Sequence, residues 1–472
     1  MSDKYAFLFS IKMLQHEIAE LSAYISESKY CYELLTRKLD ELSKFVVNEM
    51  NDRLWRLWGE DEEIRKYSEK LRETSSKAIS TMEKYQSACT DGKILKSRYL
   101  TDANALHCDE AKLDFFYGDF QELDDNWETL IICTPSDSYL EVLKNMSLRK
   151  LKMVKTVILI SPGIGSNMFI ERNFKGELKD IDLISMSAYF GATKYENDGI
   201  NVRTKALKKR IYLASSKQKS EQIDSVSTFI ESLGVQCKIV SLPIEAESRN
   251  ITTYVHPPLF MNPFSLEQIL RENQSLKSMY KIFPEGPITQ YSIRAMVKLW
   301  KEISEVIKFF GAKPVNLLQF LNDDNYPVHT ETLSRADIED FQTFSEVKQE
   351  YLLYIRYSAI LVDPFSQPDE DGRYFEFSAV PFKKAEKDSS GRWAIPRVPL
   401  EDYWKLKHIH DLAQSVGIQM PQALELLQTF DKEVNRFCME NQTQFSNYDN
   451  TKGNRLISQL GGEETVWKTA SF

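Results

Sequence analysis

Apolar residues recur every three or four positions from Ile11 through Leu14, Ile18, Leu21 and Ile25, and the spacing resumes at Leu35, Leu39, Leu42 and Val46. That period lays one apolar stripe along a helix, so the chain is expected to open mainly helical, to about residue 86. The texture then changes. From about 112 to 243, short apolar runs alternate with helical stretches and predict strands over 129–133, 156–160, 182–185, 210–213 and 236–240. Uninterrupted apolar strands separated by helices point to a parallel sheet covered on both faces. Beyond Asn250 the pattern is helical again, with helices expected over 265–273, 288–310, 335–360, 400–417 and 421–441. The exception is 360–377, which reads as two extended segments around Asp369-Glu-Asp-Gly372. Residues 383–392 read as an exposed loop, and the polar tail after Asn441 as weakly ordered.

A chain of 472 residues is long for one core, because single cores stop growing near roughly 250–300 residues. The expected fold class is α/β in two domains. A Rossmann-like parallel-sheet, dinucleotide-binding domain spans 1–248, with an atypical helical segment at about 38–77; a mainly helical catalytic and dimerisation domain spans 249–472. Apolar residues at 42% and charged residues at 27% are ordinary for a folded globular protein. No run approaches the roughly 20 apolar residues of a membrane span, and the start lacks the basic region of a signal peptide, so a cytoplasmic protein is expected. Six cysteines, Cys31, Cys89, Cys108, Cys133, Cys237 and Cys438, are scattered without a close pair and read as reduced thiols rather than a zinc site or disulfides. A net charge of -9 offers no general attraction to nucleic acid or anionic lipid, so an anionic cofactor would need local basic residues.

Three loops of the central zone are placed to carry chemistry. Thr134-Pro135-Ser136-Asp137 follows the strand at 129–133 and suits either a cofactor edge or a helix N-cap. Ser161-Pro162-Gly163-Ile164-Gly165-Ser166-Asn167 follows the next strand, and its two glycines permit close backbone approach to a ligand or serve as turn punctuation. Phe190-Gly191-Ala192-Thr193-Lys194 is expected to face the same crevice. His256 is the strongest single candidate. Pro257 and Pro258 stiffen the chain after it, and it lies just past the domain boundary, where a cleft would open. A satisfied core histidine is the alternative. His16, His107, His329, His408 and His410 read as polar or helix-surface residues, and His408 and His410 do not share a helix face as a metal pair would.

Several strings in order resemble the opine metallophore dehydrogenases, the staphylopine, pseudopaline and bacillopaline synthases. They are Glu247-Ser-Arg-Asn250, Tyr254-Val-His-Pro-Pro-Leu-Phe-Met-Asn262, Phe283-Pro-Glu-Gly-Pro-Ile-Thr289, Asn316-Leu-Leu-Gln-Phe320 and Glu350-Tyr-Leu-Leu-Tyr-Ile-Arg356, with Asp363-Pro-Phe-Ser-Gln-Pro-Asp-Glu370 and Phe377-Ser-Ala-Val-Pro-Phe382 beyond. The resemblance covers about 114–441. It implies an NADPH-dependent reductive condensation, in which an aminobutyryl-histidine-type amine and a 2-oxo acid form an imine that hydride reduces. The product chelates zinc, nickel or cobalt, and the metal belongs to the product. His256 matches the family's catalytic histidine. Thr134, Pro135, Ser161, Pro162 and Gly163 fall on the cofactor side, and Arg37 matches a residue that contacts the 2'-phosphate or, equally, lies on a helix face. Arg249 and Asn250 are candidates for substrate carboxylates, with pairing of Arg249 to Glu245 or Glu247 as the alternative. Ala192 stands where the pyruvate-using branch carries Asp, which favours 2-oxoglutarate; a small turn residue is the plain alternative. A homodimer is also implied.

The opening departs from the family. Relatives begin with a strand and a Gly-x-Gly-Pro loop, whereas Tyr5-Ala-Phe-Leu-Phe9 is followed by Ser10-Ile11 without glycine. Two functions therefore stand: an active NADPH-dependent opine dehydrogenase, and a non-catalytic relative that keeps the pocket and acts as a binding or assembly partner.

Overall fold

The computed structural model describes residues 94–100 and 106–112 as backbone strands, residues 115 and 117, and 120–448 apart from 175, 196–201, 272–276, 326, 360–379 and 389–390. The helical expectations at 11–86, Arg37, the segment at 38–77, the extended pair at 360–377 and the end of the tail lie outside the described residues.

In chain order the strands are β1 (Ile94–Leu100), β2 (Leu106–Lys112), β3 (Thr129–Ile132), β4 (Thr156–Ile160) and β5 (Asp182–Met186). They continue with β6 (Gly191–Tyr195), β7 (Val202–Leu207), β8 (Arg210–Ser215) and β9 (Gln236–Ile239). One sheet has the order β3-β4-β5-β8-β9, and the other β2-β1-β7-β6. The five strands read from the sequence are those of the first sheet. Its core positions explain why: Val157, Leu159, Leu183, Ile184, Ile211 and Leu213 have almost no exposed surface. The sheet is mixed rather than purely parallel, because β5 and β8 run antiparallel while the other three pairs are parallel. Parallel neighbours need a crossover, usually a helix, whereas the chain between β5 and β8 is the antiparallel β6–β7 pair. The segment 190–194, expected as a loop, therefore belongs largely to β6, and β1 and β2 were not anticipated at all.

Helices α1 (Tyr139–Asn145), α2 (Ser166–Asn173) and α3 (Gln222–Ser232) connect or cover the first sheet. After it come α4 (Pro243–Glu247), α5 (Thr252–Phe260), α6 (Pro263–Leu270), α7 (Gln290–Phe309), α8 (Leu317–Asp323), α9 (Arg335–Glu339), α10 (Glu346–Ala359), α11 (Arg397–Ser415) and α12 (Pro421–Glu440). The helix expected over 335–360 is broken into α9, a short turn at Phe341–Thr343 and α10. Phe341 turns fully into the core against Trp300, and the Gln349 side chain donates to its carbonyl at 2.9 Å, replacing helical backbone bonding there. Residues 383–392 are also more ordered than a loop, since Glu386–Lys387 pairs with Trp393–Ala394.

The helical core forms around α7, whose Ile293, Met296, Val297, Ile303 and Ile307 are buried at the helical period. Thr289 and Ser292 close its N-terminus as a reciprocal cap. Burial of each such side chain contributes about 1.5–3 kcal/mol. Against this core pack α5, α11 and α12, and a hydrogen bond from Asn250 to Ser161 ties the start of α5 to the end of β4. Among the described residues no helix is long and apolar enough to cross a membrane.

Candidate functional site

His256 projects from α5, a helix that the sequence pattern did not anticipate because Pro257 and Pro258 lie inside it. Proline removes a backbone donor and strains a helix interior, so a Pro-Pro pair argues against one. Packing overrides that preference here: Tyr254, Leu259 and Phe260 are buried, and the Asn262 side chain donates to the Pro258 and Leu259 carbonyls at 2.9 Å each. The Asn262 oxygen in turn accepts from Ser265 N and caps α6.

The imidazole is held from both ends. Nδ1 lies 3.1 and 3.2 Å from the two Asp402 carboxylate oxygens, and the Tyr280 hydroxyl lies 3.4 Å from Nε2. The ring meets the edge of Phe260 at 4.9 Å between centroids. His256 is 15% exposed and Asp402 only 5%. A carboxylate beside Nδ1 orients the ring with its proton on Nδ1 and leaves Nε2 toward the Tyr280 hydroxyl. The backbone-bonded core histidine that the sequence also allowed is not what is found.

His256 and Asp402 line a cleft with Ser161, Ala188, Tyr189, Tyr212, Arg249, Asn250 and Asp324. Ser161, at the end of β4, has φ of 57°, a left-handed conformation that serine rarely adopts, and its Oγ accepts from Asn250 Nδ2 at 3.3 Å. Asn250 Oδ1 accepts from Thr252 N and Oγ1 at the start of α5. The β4 loop and the histidine helix are thus joined through one amide. Arg249 takes the pairing alternative: its Nη2 is 3.2 Å from Glu245 and donates to the Lys313 carbonyl at 3.3 Å, with the guanidinium 5.3 Å from the Tyr212 ring centroid. Asp324 accepts from Arg210 and from the Tyr212 hydroxyl, each at 2.6 Å. Burial, then the bond to Asp324, push the Tyr212 phenol up to about 12, so it remains a donor.

Thr134, Pro135, Ser161, Pro162 and Gly163, expected on the cofactor side, follow the carboxyl ends of the parallel strands β3 and β4, where open α/β sheets bind ligands. A methyl group added to Gly163 would lie 3.6 Å from the Ser136 and Ser166 hydroxyls, so the Pro135–Ser136 and Pro162–Gly163 turns are adjacent. Thr134 is not a helix cap: its buried Oγ1 has no partner among the described residues, and the short helix after Pro135 has no side-chain cap. An unpaired hydroxyl and a nearby glycine backbone fit a polar ligand edge.

Gly165 serves another purpose. A Cβ there would lie 2.8 Å from Leu412, its φ is 91°, and its N–H donates to Glu247. Glu247 is buried and accepts from Gly165 N at 2.6 Å, Asn167 N at 2.9 Å and Ser185 Oγ at 3.0 Å. The Gly165 and Asn167 amides at the start of α2 are therefore taken by a protein carboxyl group and are not offered to a phosphate. His410 is buried and His408 partly buried on α11 rather than at its surface, because α5 and α12 pack against that helix. Burial holds the His408 imidazole below the usual histidine range. Among the described residues no cluster of three metal-binding side chains occurs. Ala192 lies in β6 where the pairing register with β7 shifts. Sequence reasoning missed Asp402, Tyr280 and Asp324, which follow no local spacing.

The staphylopine dehydrogenase family model matches residues 70–451. The chain is 45% identical to pseudopaline synthase of Pseudomonas aeruginosa over 329 residues, covering 69% of this chain and 76% of that protein. The solved structure of yersinopine dehydrogenase bound to NADP+ is 30% identical, with a TM-score of 0.72, covering 80% of this chain and 90% of that one. A shorter stretch of 85 residues is 29% identical to L-histidine 2-aminobutanoyltransferase of Pseudomonas aeruginosa, covering 18% of this chain and 32% of that protein.

Proposed function

Because this chain belongs to the staphylopine dehydrogenase family, we propose that it is an NADP-dependent opine metallophore synthase, joining an aminobutyryl-histidine-type amine to a 2-oxo acid by reductive condensation. The observation that carries the chemistry is the His256–Asp402 pair at the wall of the cleft. Condensation of an amine with a carbonyl moves a proton from nitrogen to the departing hydroxyl. His256 Nε2 takes that proton and returns it as water leaves, while Asp402 stabilises the transient imidazolium. NADPH, when bound, supplies the hydride that reduces the imine carbon. Arg37, Thr134, Pro135, Ser161, Pro162 and Gly163 are the residues that would hold it, with Arg37 toward the 2'-phosphate. The relative solved with NADP+ supports the cofactor, and the transferase named for placing an aminobutanoyl group on L-histidine supports the amine.

Asn250 lies on the His256 side of the cleft, where an amide donor serves a substrate carboxylate, and Arg249 adds positive charge nearby. Ala192 in place of Asp removes a negative charge that would repel a second carboxylate, which favours 2-oxoglutarate over pyruvate. The working unit is read as a cytoplasmic homodimer, assembled through the helical domain at 249–472 beside the nucleotide domain at 1–248. The second reading is the non-catalytic relative, favoured by the glycine-free Ser10-Ile11 opening and by a family match that starts at residue 70.

Purified protein mixed with NADPH, aminobutyryl-histidine and either oxo acid separates the two. Loss of NADPH absorbance and an opine of the expected mass, faster with 2-oxoglutarate, are expected. Ala192→Asp should move the ratio toward pyruvate by about tenfold, as one desolvated like-charge contact would. Absence of both NADPH oxidation and nucleotide binding leaves the non-catalytic reading.

A further inference from the structure

Five cationic side chains line the cleft: Lys208, Arg210, Arg249, Arg397 and Lys405. Four of them are already engaged. Arg210 pairs with Asp324 at 2.6 Å, Arg249 with Glu245 at 3.2 Å, and Arg397 and Lys405 both with Glu401. Lys208 has no carboxylate at ion-pair distance among the described residues; its ammonium lies 5.6 Å from the Tyr189 ring centroid. A contact of that length to a half-exposed tyrosine compensates little of the cost of partial burial. Burial alone holds the Lys208 ammonium below the ordinary lysine range. An ammonium in that setting favours an incoming anion.

Its place in the fold indicates which anion. Lys208 follows the last residue of β7, and its backbone N–H donates to the Phe190 carbonyl at 2.7 Å, next to the Gly191–Leu207 pair. The register shift at Ala192 comes immediately after that pair, and such irregularities re-aim side chains. His256 enters the cleft from α5, whereas Lys208 enters from the strand side. The carboxylate common to all 2-oxo acids adjoins the reacting carbon and stays with it near His256. A second carboxylate, further along the chain of the acid, is the group left for the strand side.

We propose that Lys208 binds the distal carboxylate of a 2-oxo dicarboxylate and so sets the preference for 2-oxoglutarate over pyruvate. This rests on the reading that the chain joins a 2-oxo acid to an amine. Lys208→Met should raise KM for 2-oxoglutarate about 10- to 100-fold, the range expected for one charged hydrogen bond, with kcat and the pyruvate reaction changed less than about twofold. Lys208→Arg should recover most of the loss. Equal losses for both acids would place Lys208 on the common carboxylate and overturn the assignment; so would no loss. Calorimetric titration of each acid, with NADP+ present, reads the same contrast without turnover. A wild-type protein that binds 2-oxoglutarate but does not oxidise NADPH defeats the enzymatic reading alone. Unchanged 2-oxoglutarate binding in Lys208→Met defeats the role of Lys208 alone. Retained pyruvate binding reports the fold of the variant, and Lys208→Gln serves as the second variant if the methionine form is unstable.

Discussion

The two walls of the cleft differ in how their polar groups are satisfied. On the helical wall, His256 is fixed by Asp402 and Tyr280, Arg249 by Glu245, and the end of α5 by Asn262. On the strand wall, Arg210 and Tyr212 are paired with Asp324 but Lys208 has no carboxylate among the described residues, and outside the cleft lining the Thr134 hydroxyl after β3 has no hydrogen-bond partner. A group that moves a proton must be held in one geometry before the substrate arrives, since misplacement is costly in rate. Groups that grip a ligand gain most when the ligand itself completes them. Under the proposed function, chemistry falls to the His256 side and recognition of the oxo acid to Lys208.

The largest effect expected is on the helical wall. His256→Ala should lower kcat about 10³-fold, within the range for a general acid–base group, while leaving NADPH affinity nearly intact. Asp402→Asn should cost about 10²-fold, because an amide preserves the shape but withdraws the charge that stabilises the imidazolium. Stopped-flow measurement of the reduction step, together with equilibrium nucleotide binding, checks both. If Asp402→Asn turns over within twofold of wild type, orientation by the helical wall is unnecessary and the contrast between walls fails.

The parts legible in the sequence were those with one dominant local signal. Thr156–Ile160 is a run of β-branched and aliphatic residues, and it forms β4 with the bounds expected. His256 stood out because an imidazole beside two prolines is unusual. The same prolines concealed α5, since intrinsic propensity opposed the helix that tertiary packing then stabilised. Asp402 lies 146 residues from His256, a pairing that no spacing rule reaches. The antiparallel β5–β8 pair depends on recognising the β6–β7 connection, of which 190–194 reads as a small loop and 202–207 carries no signal. Glu247 stands out in the sequence only within a family string and as a possible mate for Arg249, because its partners are the Gly165 and Asn167 amides and the Ser185 hydroxyl, far away in the chain.

That buried carboxyl group ties α4 to the start of α2 and to β5, and gives the next prediction. Burial pushes Glu247 from the ordinary glutamate value near 4.5 up to about 7, opposed by hydrogen bonds from the Asn167 and Gly165 amides and from Ser185. Between those values the native protein keeps a proton that the unfolded chain has released. Stability linked to Glu247 is therefore full below about pH 4.5 and declines as pH rises through about 7, by at most ~3 kcal/mol. Glu247→Gln cannot titrate, so the Tm difference between wild type and variant should shrink steadily across that window. A difference independent of pH would show that the carboxylate does not change protonation there. The variant should also be less stable at low pH by about 1–3 kcal/mol, because its amide NH₂ faces groups that are themselves donors.

The smallest effect tests the turn after β3 through a change of sign. Thr134→Val keeps the volume of the side chain and deletes one hydroxyl whose oxygen is buried and unpaired among the described residues. Removing an unsatisfied buried polar group should leave stability unchanged or raise it by about 1 kcal/mol. If that hydroxyl is completed by the nucleotide, the same substitution should weaken NADPH binding by about three- to tenfold, the equivalent of one neutral hydrogen bond. Thermal denaturation without nucleotide and fluorescence titration with NADPH measure the two halves separately. A gain in stability with unaltered affinity would make Thr134 a simple packing defect and remove it from nucleotide recognition; a loss in both would mean that the hydroxyl supports the fold.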